Sequence, residues 1–224
     1  MLKLFNYDLQ TFASPSASKA LLSKITVKKL AESETILSPG QNQQNLYFVK
    51  EGVVRCYYQS LEMQWTNWFA AEWSPIFSTE SFLIGNPSPE YIETCTPVIL
   101  YQITREDYKT LMEEFPELYQ PAFHLLQSYL HISEKRLYGS HMQTAYKRYE
   151  DFIETHRHIA NRVKMNHIAS YLGITPTHLS RIRKEFARKD HNNLVKNWCS
   201  YMNQPMLKKL FAYWQTAFSA IRLQ

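Results

Sequence analysis

Between Thr35 and Ile103 the chain runs in short β-prone stretches broken by turn residues: Pro39-Gly40, Leu46-Tyr47-Phe48-Val49, Lys50-Glu51-Gly52, then Val53-Val54-Arg55-Cys56-Tyr57-Tyr58. Trp65 to Phe69 and Val98 to Ile103 continue the pattern on either side of the loop Gly85-Asn86-Pro87-Ser88-Pro89. Such runs, with β-branched and aromatic residues between glycine and proline punctuation, predict hairpin strands of a small antiparallel roll. Upstream of it, Ser16 to Leu30 is predicted as helix. At Thr104 the period changes. Thr104 and Asp107 form a capping pair, and Tyr108, Leu111, Met112 and Phe115 follow at helical spacing, so the roll ends there.

A long helix is predicted from about Pro116 to Leu137, and it carries two adjacent apolar rows. One is Leu118, Ala122, Leu125, Tyr129 and Ile132; the other is Tyr119, Phe123, Leu126, Leu130 and Leu137, interrupted by Ser133. A helix lying on one surface needs one stripe, so a second stripe points to a partner helix. The first row is assigned as a homodimer seam, against the alternative of a helix buried within one larger core. Gly139 is expected to stop this helix and Ser140-His141-Met142-Gln143 to cap the next, on which Ala145, Tyr149, Phe152 and Ile153 share a face.

The stretch from Val163 to Phe186 has the pattern of a helix-turn-helix. Ala169 is small where two helices cross, Gly173 can take the positive φ that ends the first helix, and Ile174 fills the corner. Thr175 caps the second helix and Pro176 opens it. At about 100° per residue, Leu179, Ile182 and Phe186 fall on one side of that helix and Thr177, Arg181, Lys184 and Arg188 on the other. Cationic and hydroxyl side chains on a protruding helix suit phosphates and base edges in a major groove. Arg181 is the candidate base contact through its bidentate fork, while Thr175, His178 and Ser180 suit phosphate or lesser base contacts.

Charge reinforces this assignment. Residues 140 to 224 hold 14 Lys plus Arg against 5 Asp plus Glu, whereas residues 1 to 139 hold 11 against 15. A basic C-terminal part on an acidic body implies a polyanion partner. With 224 residues and 45% hydrophobic content, the composition excludes disordered, collagenous and disulfide-scaffold classes. No apolar run is long enough to span a bilayer and the N-terminus lacks a signal-peptide pattern, so a cytoplasmic location is expected. Cys56, Cys95 and Cys199 lie far apart, which suits buried free thiols better than a thiolate metal site. His156-Arg157-His158 is read as a solvated turn. A second amphipathic stripe, Met206, Leu207, Leu210, Phe211, Trp214, Phe218 and Ile221, is expected to dock as a helical tail.

The order of roll, long helix, hinge and helix-turn-helix resembles the cyclic-AMP-receptor/FNR (CRP/FNR) regulators, in the branch found in Bacteroidetes-type bacteria. The resemblance rests on Leu46 to Gly52, on Ala145-Tyr146-Lys147-Arg148-Tyr149 and on Ile168 to Thr175, and spans about residues 30 to 188. It implies an α+β protein: an N-terminal double-stranded β-helix or jelly-roll, cyclic-nucleotide-binding-like domain (1–115), a dimerisation helix (116–139), a C-terminal helix-turn-helix domain (140–190) and a helical tail (191–224). It further implies a homodimeric transcription regulator bound to double-stranded DNA, with RNA polymerase as a candidate partner and an effector of unknown identity.

Cyclic AMP is not the expected effector. Where nucleotide-binding members carry a Gly-Glu pair, this chain has Thr79-Glu80, which leaves Glu80 as the one candidate effector contact, and no arginine occurs between Arg55 and Arg105 to meet a phosphate. With no cysteine before Cys56, an iron-sulfur cluster is not expected, and neither is any other cofactor or metal. The cluster Trp65, Trp68, Phe69, Trp73, Phe77 and Phe82 suits core packing better than an apolar pocket. No catalytic residues suggest themselves. A cupin-type enzyme would need histidines on the roll, yet the first histidine is His124, and a membrane-associated adaptor would have to act through the tail stripe.

Overall fold

The structure is a computed structural model and describes residues 14–61 and 63–190, the last two for backbone only. Cys199 and the stripe from Met206 to Ile221 lie outside the described residues.

Ser14 caps the first helix, α1 (Pro15–Lys24), by accepting from the Ala17 N–H at 3.1 Å. The helix is shorter than expected. The β-branched run Ile25-Thr26-Val27 leaves it, and strand β1 (Thr26–Leu30) pairs antiparallel with β8 (Val98–Thr104), from Thr26 opposite Gln102 to Leu30 opposite Val98. The remaining strands are β2 (Thr35–Leu37), β3 (Asn45–Glu51), β4 (Val54–Gln59), β5 (Gln64–Ala70), β6 (Pro75–Ile76) and β7 (Tyr91–Thr94). They form two antiparallel sheets with orders β1-β8-β3-β6 and β2-β7-β4-β5. Between the sheets Leu37, Tyr47, Val49, Val54, Cys56, Ile76, Ile92, Val98 and Leu100 make a buried core, the alternation along each strand sending every second side chain inward. The β3–β4 turn depends on Gly52, where φ is +105° and a Cβ would come within 2.5 Å of the Pro97 carbonyl oxygen.

A six-residue π-helical turn (Thr79–Ile84) precedes β7, and α2 (Arg105–Glu114) starts where expected, with Thr104 accepting from the Asp107 N–H at 3.0 Å. A short 3₁₀ turn (Pro116–Leu118) leads into α3 (Tyr119–Met142). This helix runs through Gly139, whose Cβ would meet Gln143 Oε1 at 2.8 Å, and Ser140 bonds back to the Leu137 carbonyl instead of capping. The break falls at Gln143 (φ −109°, ψ 151°), and Thr144 caps α4 (Ala145–Ala160) by accepting from the Lys147 N–H. Gly139 therefore lies inside the helix rather than ending it. His156 and His158 belong to α4 rather than to a solvated turn: His156 sits at a kink (φ −128°, ψ 26°) with its ring stacked 5.2 Å from Phe152.

Of the two apolar rows on α3, the one assigned to the dimer seam packs on its own roll. Leu118 is buried, Ala122 and Leu125 cover a cluster of Leu46, Phe77, Phe82, Ile103 and Leu111, and the Tyr129 ring lies 5.8 Å from Phe77; Ile132 is half-buried. The other row stands in solvent, with Tyr119, Phe123, Leu126, Leu130 and Leu137 exposed by 57, 58, 39, 60 and 62%. The row choice depended on where the roll's end lies, and that is set by β3, β8 and α2 rather than by the helix. Phe69, Phe77 and Phe82 are core residues, while Trp65 is 46% exposed.

Candidate nucleic-acid interface

The helix-turn-helix consists of α5 (Met165–Leu172) and α6 (Pro176–Asp190). Gly173 ends α5 in the left-handed region (φ 66°), with its N–H bonded to the Ser170 carbonyl and the Ile174 N–H to the Ala169 carbonyl. That pair of bonds satisfies the last carbonyls of the helix and sets the corner. Thr175 Oγ1 accepts from the His178 N–H at 3.2 Å, and Pro176 occupies the first turn without losing a bond.

The two sides of α6 part as its period requires. Leu179 and Ile182 are buried against Ile168, Ala169 and Leu172, and Phe186 packs edge-on to Tyr149 with ring centroids 5.4 Å apart. Thr175, Thr177, His178, Arg181, Lys184 and Arg188 are exposed, and Ser180 is half-buried. No acidic residue stands in the first turn of α6, so no carboxylate compensates the positive partial charge at its N-terminus.

The helix-turn-helix is seated on the roll. One cluster of buried residues joins Val53, Phe69, Ala71 and Cys95 of the roll to Tyr149, Phe152, Ile159, Ile168 and Leu172. Polar contacts ring it. Arg162 makes a bidentate pair with Glu72 at 2.8 and 2.6 Å, and Glu72 also accepts from the Gly52 N–H at 3.0 Å. Burial opposes charge on Glu72, but these donors outweigh it and hold the carboxyl below the usual range. Lys164 pairs with Glu32 at 3.2 Å at the rim. Ser170 of α5 accepts from the Thr66 N–H at 2.7 Å and donates to the Gln64 carbonyl at 2.8 Å. Arg136 of α3 reaches the Thr66 and Asn67 carbonyls and lies 4.2 Å from the Tyr171 ring centre. Beneath the seat, burial, then Arg55 and Lys164, push the His167 imidazole down to about 4, and its Nδ1 is 3.8 Å from the Cys95 thiol, itself pushed up to about 12 by burial. No local pattern announced these residues, since each works through a partner far away in sequence.

Glu80, the candidate effector contact, is exposed on the π-helical turn and accepts from the Asn86 amide. Among the described residues of the roll the buried carboxylate is Glu90, which accepts from the Cys56 thiol at 2.6 Å; burial and then Glu90 drive that thiol well above its ordinary range. Arg55 is also buried: its Nη2 donates to Gln64 at 2.9 Å and pairs with Glu93 at 3.5 Å, the guanidinium stacks 4.0 Å from the Tyr57 ring, and Nε and Nη1 are buried without a hydrogen-bond partner. Among the described residues no group of three or more His, Cys, Asp or Glu could hold a metal ion, and no helix is long and apolar enough to cross a membrane.

No family model and no curated protein sequence matches the chain. Solved structures do. FixK2 from Bradyrhizobium japonicum is 16% identical, with a TM-score of 0.66 over 74% of this chain and 85% of that one. A CooA variant from Carboxydothermus hydrogenoformans is 14% identical, with a TM-score of 0.61 over 75% and 79%. A protein assigned to the crp/fnr family of transcriptional regulators from Eubacterium rectale is 17% identical, with a TM-score of 0.64 over 82% and 88%. At these identities the likeness is one of architecture, and the roll, the long helix and the helix-turn-helix of this chain together have the fold of those structures.

Proposed function

We propose that this chain is a sequence-specific DNA-binding transcription regulator of the CRP/FNR type that works as a homodimer. The observation that carries the reading is the division of α6: its apolar side is sunk in its own domain while Thr177, Arg181, Lys184 and Arg188 stand free on the other. In this reading α6 enters the major groove, Arg181 takes a guanine edge, and Thr175, His178 and Ser180 meet phosphates near the helix N-terminus. The fold shared with solved regulators supports it.

The dimer seam belongs to the exposed row of α3. Tyr119, Phe123, Leu126, Leu130 and Leu137 recur over five turns of helix, an apolar stripe interrupted at Ser133 that a second copy of the same helix would cover. A two-fold pairing there presents two α6 helices to successive major grooves, about 34 Å apart. An effector, if cyclic AMP were it, would need a cation for its phosphate. Arg55 is 3% exposed, with its Nη2 taken by Gln64 and Glu93 and its Nε and Nη1 shut inside the protein, and Glu80 is exposed, so the roll is read as not responding to cyclic AMP.

The test is selection of duplexes from a random pool by the full chain, followed by titration at several salt concentrations. A pseudo-palindromic consensus is expected, with log affinity falling by about 0.9 per log unit of salt for each phosphate neutralised. Failure to enrich any sequence, or a flat salt response, would sink the proposal.

A further inference from the structure

β5 carries a bulge at the point where three parts of the molecule meet. In the β4–β5 ladder Cys56 lies opposite Trp68 but Tyr57 lies opposite Thr66, so Asn67 is an extra residue without a partner. A bulge frees backbone groups that the ladder would otherwise use, and a buried unpaired carbonyl or N–H is costly. β5 is the edge strand of its sheet, and here groups on either side of the bulge are claimed from outside the sheet. The Thr66 N–H goes to Ser170 of α5. The Asn67 carbonyl goes to Arg136 Nη1, which also lies 3.2 Å from Asn67 Oδ1, while Arg136 Nη2 lies 3.4 Å from the Thr66 carbonyl.

The guanidinium does more than cap the bulge. Its plane lies 4.2 Å from the Tyr171 ring centre, on α5, and 5.9 Å from Trp65, on β5. The Tyr171 ring is in turn packed 5.4 Å from both Phe69 of the roll and Phe152 of α4. Among the described residues no carboxylate pairs with Arg136, so its charge is spent on carbonyls and π faces. Only a flat fork can meet two carbonyls along its edge and a ring on its face at once, which a lysine ammonium cannot do. Arg136 also sits one residue before Leu137 of the exposed row, within the same helical turn as the seam.

We propose that Arg136 is a positioning residue that locks the long helix, the roll and the helix-turn-helix together at the Asn67 bulge, and so fixes the direction in which α6 is presented relative to the helix α3. The lock itself stands on the contacts above; its consequence for DNA rests on the function proposed in the preceding subsection.

Two readouts on the full chain separate the two. The first needs no DNA: hydrogen exchange of the Thr66 amide, whose bond to Ser170 crosses between the domains. Arg136→Ala should speed that exchange roughly tenfold, the size of one cation–π contact with its charge-assisted bonds. Arg136→Lys should behave likewise and Tyr171→Phe should match wild type because the ring face is kept; Tyr171→Ala also loses the contacts to Phe69 and Phe152, so it should speed exchange at least as much, and combining Arg136→Ala with Tyr171→Ala should give less than the product of the two single effects. The second uses duplexes selected by the wild-type chain, with the half-site separation then lengthened or shortened by single base pairs. Wild type should favour one separation by about tenfold, and Arg136→Ala should bind the neighbouring separations within about threefold of the best. If Arg136→Ala does not fold, Arg136→Lys carries the same comparison.

Unchanged Thr66 exchange overturns the lock. Faster exchange with an unchanged separation profile makes Arg136 a staple without a positioning role and overturns the proposal. Faster exchange in a chain whose wild type enriches no duplex leaves the lock standing and removes the DNA-binding function instead.

Discussion

Replacing Leu130 by Glu puts a carboxylate in the middle of the exposed row of α3. Fully burying a leucine side chain stabilises by about 1.5 to 3 kcal/mol. Leu130 is 60% exposed in the single chain, so a partner helix has about 1 to 2 kcal/mol left to gain from it. In a two-fold seam the residue counts twice, giving about 2 to 4 kcal/mol, or an increase in the dimer dissociation constant of about 30- to 1,000-fold. Desolvation of the two introduced carboxylates adds to that. Sedimentation equilibrium across a wide concentration range reads the shift directly. Thermal unfolding of the monomer should hardly move, since Leu130 leaves no hole in its own core. Leu125→Glu is the control: Leu125 packs on the cluster around Phe77 and Leu118, so this change should lower the melting temperature more than it weakens association. Dimers of normal strength in Leu130→Glu, together with loss of association in a stably folded Leu125→Glu, would return the seam to the inner row and refute the reasoning.

Arg181→Ala should cost about 1 to 3 kcal/mol at the selected sequence and relax preference at one position of each half-site, read by competition among single-base variants; intact discrimination would remove its base-reading role. His167 should make stability depend on pH. Its imidazole titrates at about 4 in the folded chain against an ordinary 6.5, so the unfolded chain binds more protons between those values. Stability is therefore full above pH 6.5 and falls as pH drops toward 4, and denaturant midpoints for His167→Gln should lack that component of the slope; equal slopes for both proteins would contradict the burial argument.

What could be read from the chain alone is what short-range physics decides. The helix-turn-helix needs only residues within a dozen positions of one another: Gly173 for a left-handed corner, Thr175 and Pro176 for the start of α6, and Leu179, Ile182 and Phe186 at a spacing that must bring them to one side. The free side followed from the same period, so Arg181, Lys184 and Arg188 were identifiable before any fold was known. The roll was legible as strands between turns because alternation and glycine placement are local as well. Helix ends were less so, because Gly139 and Gly173 are the same residue in different settings: one lies inside α3, the other takes a positive φ at the end of α5.

The tertiary structure decided everything that depends on two distant segments meeting. Two adjacent rows along α3 are both apolar, and the position of Phe77, Ile103 and Leu111 selects which row turns inward. The joint between the domains was invisible for the same reason. Arg136 and Asn67 are 69 residues apart, and Glu72 and Arg162 are 90 apart. A backbone carbonyl freed by a bulge leaves no mark in the composition or period of a strand, and a surface arginine on a helix looks the same whether it faces water or an aromatic ring. Those contacts exist because the roll brings its edge strand β5 against α3 and α5, a consequence of strand pairing across the whole domain rather than of any one stretch of sequence.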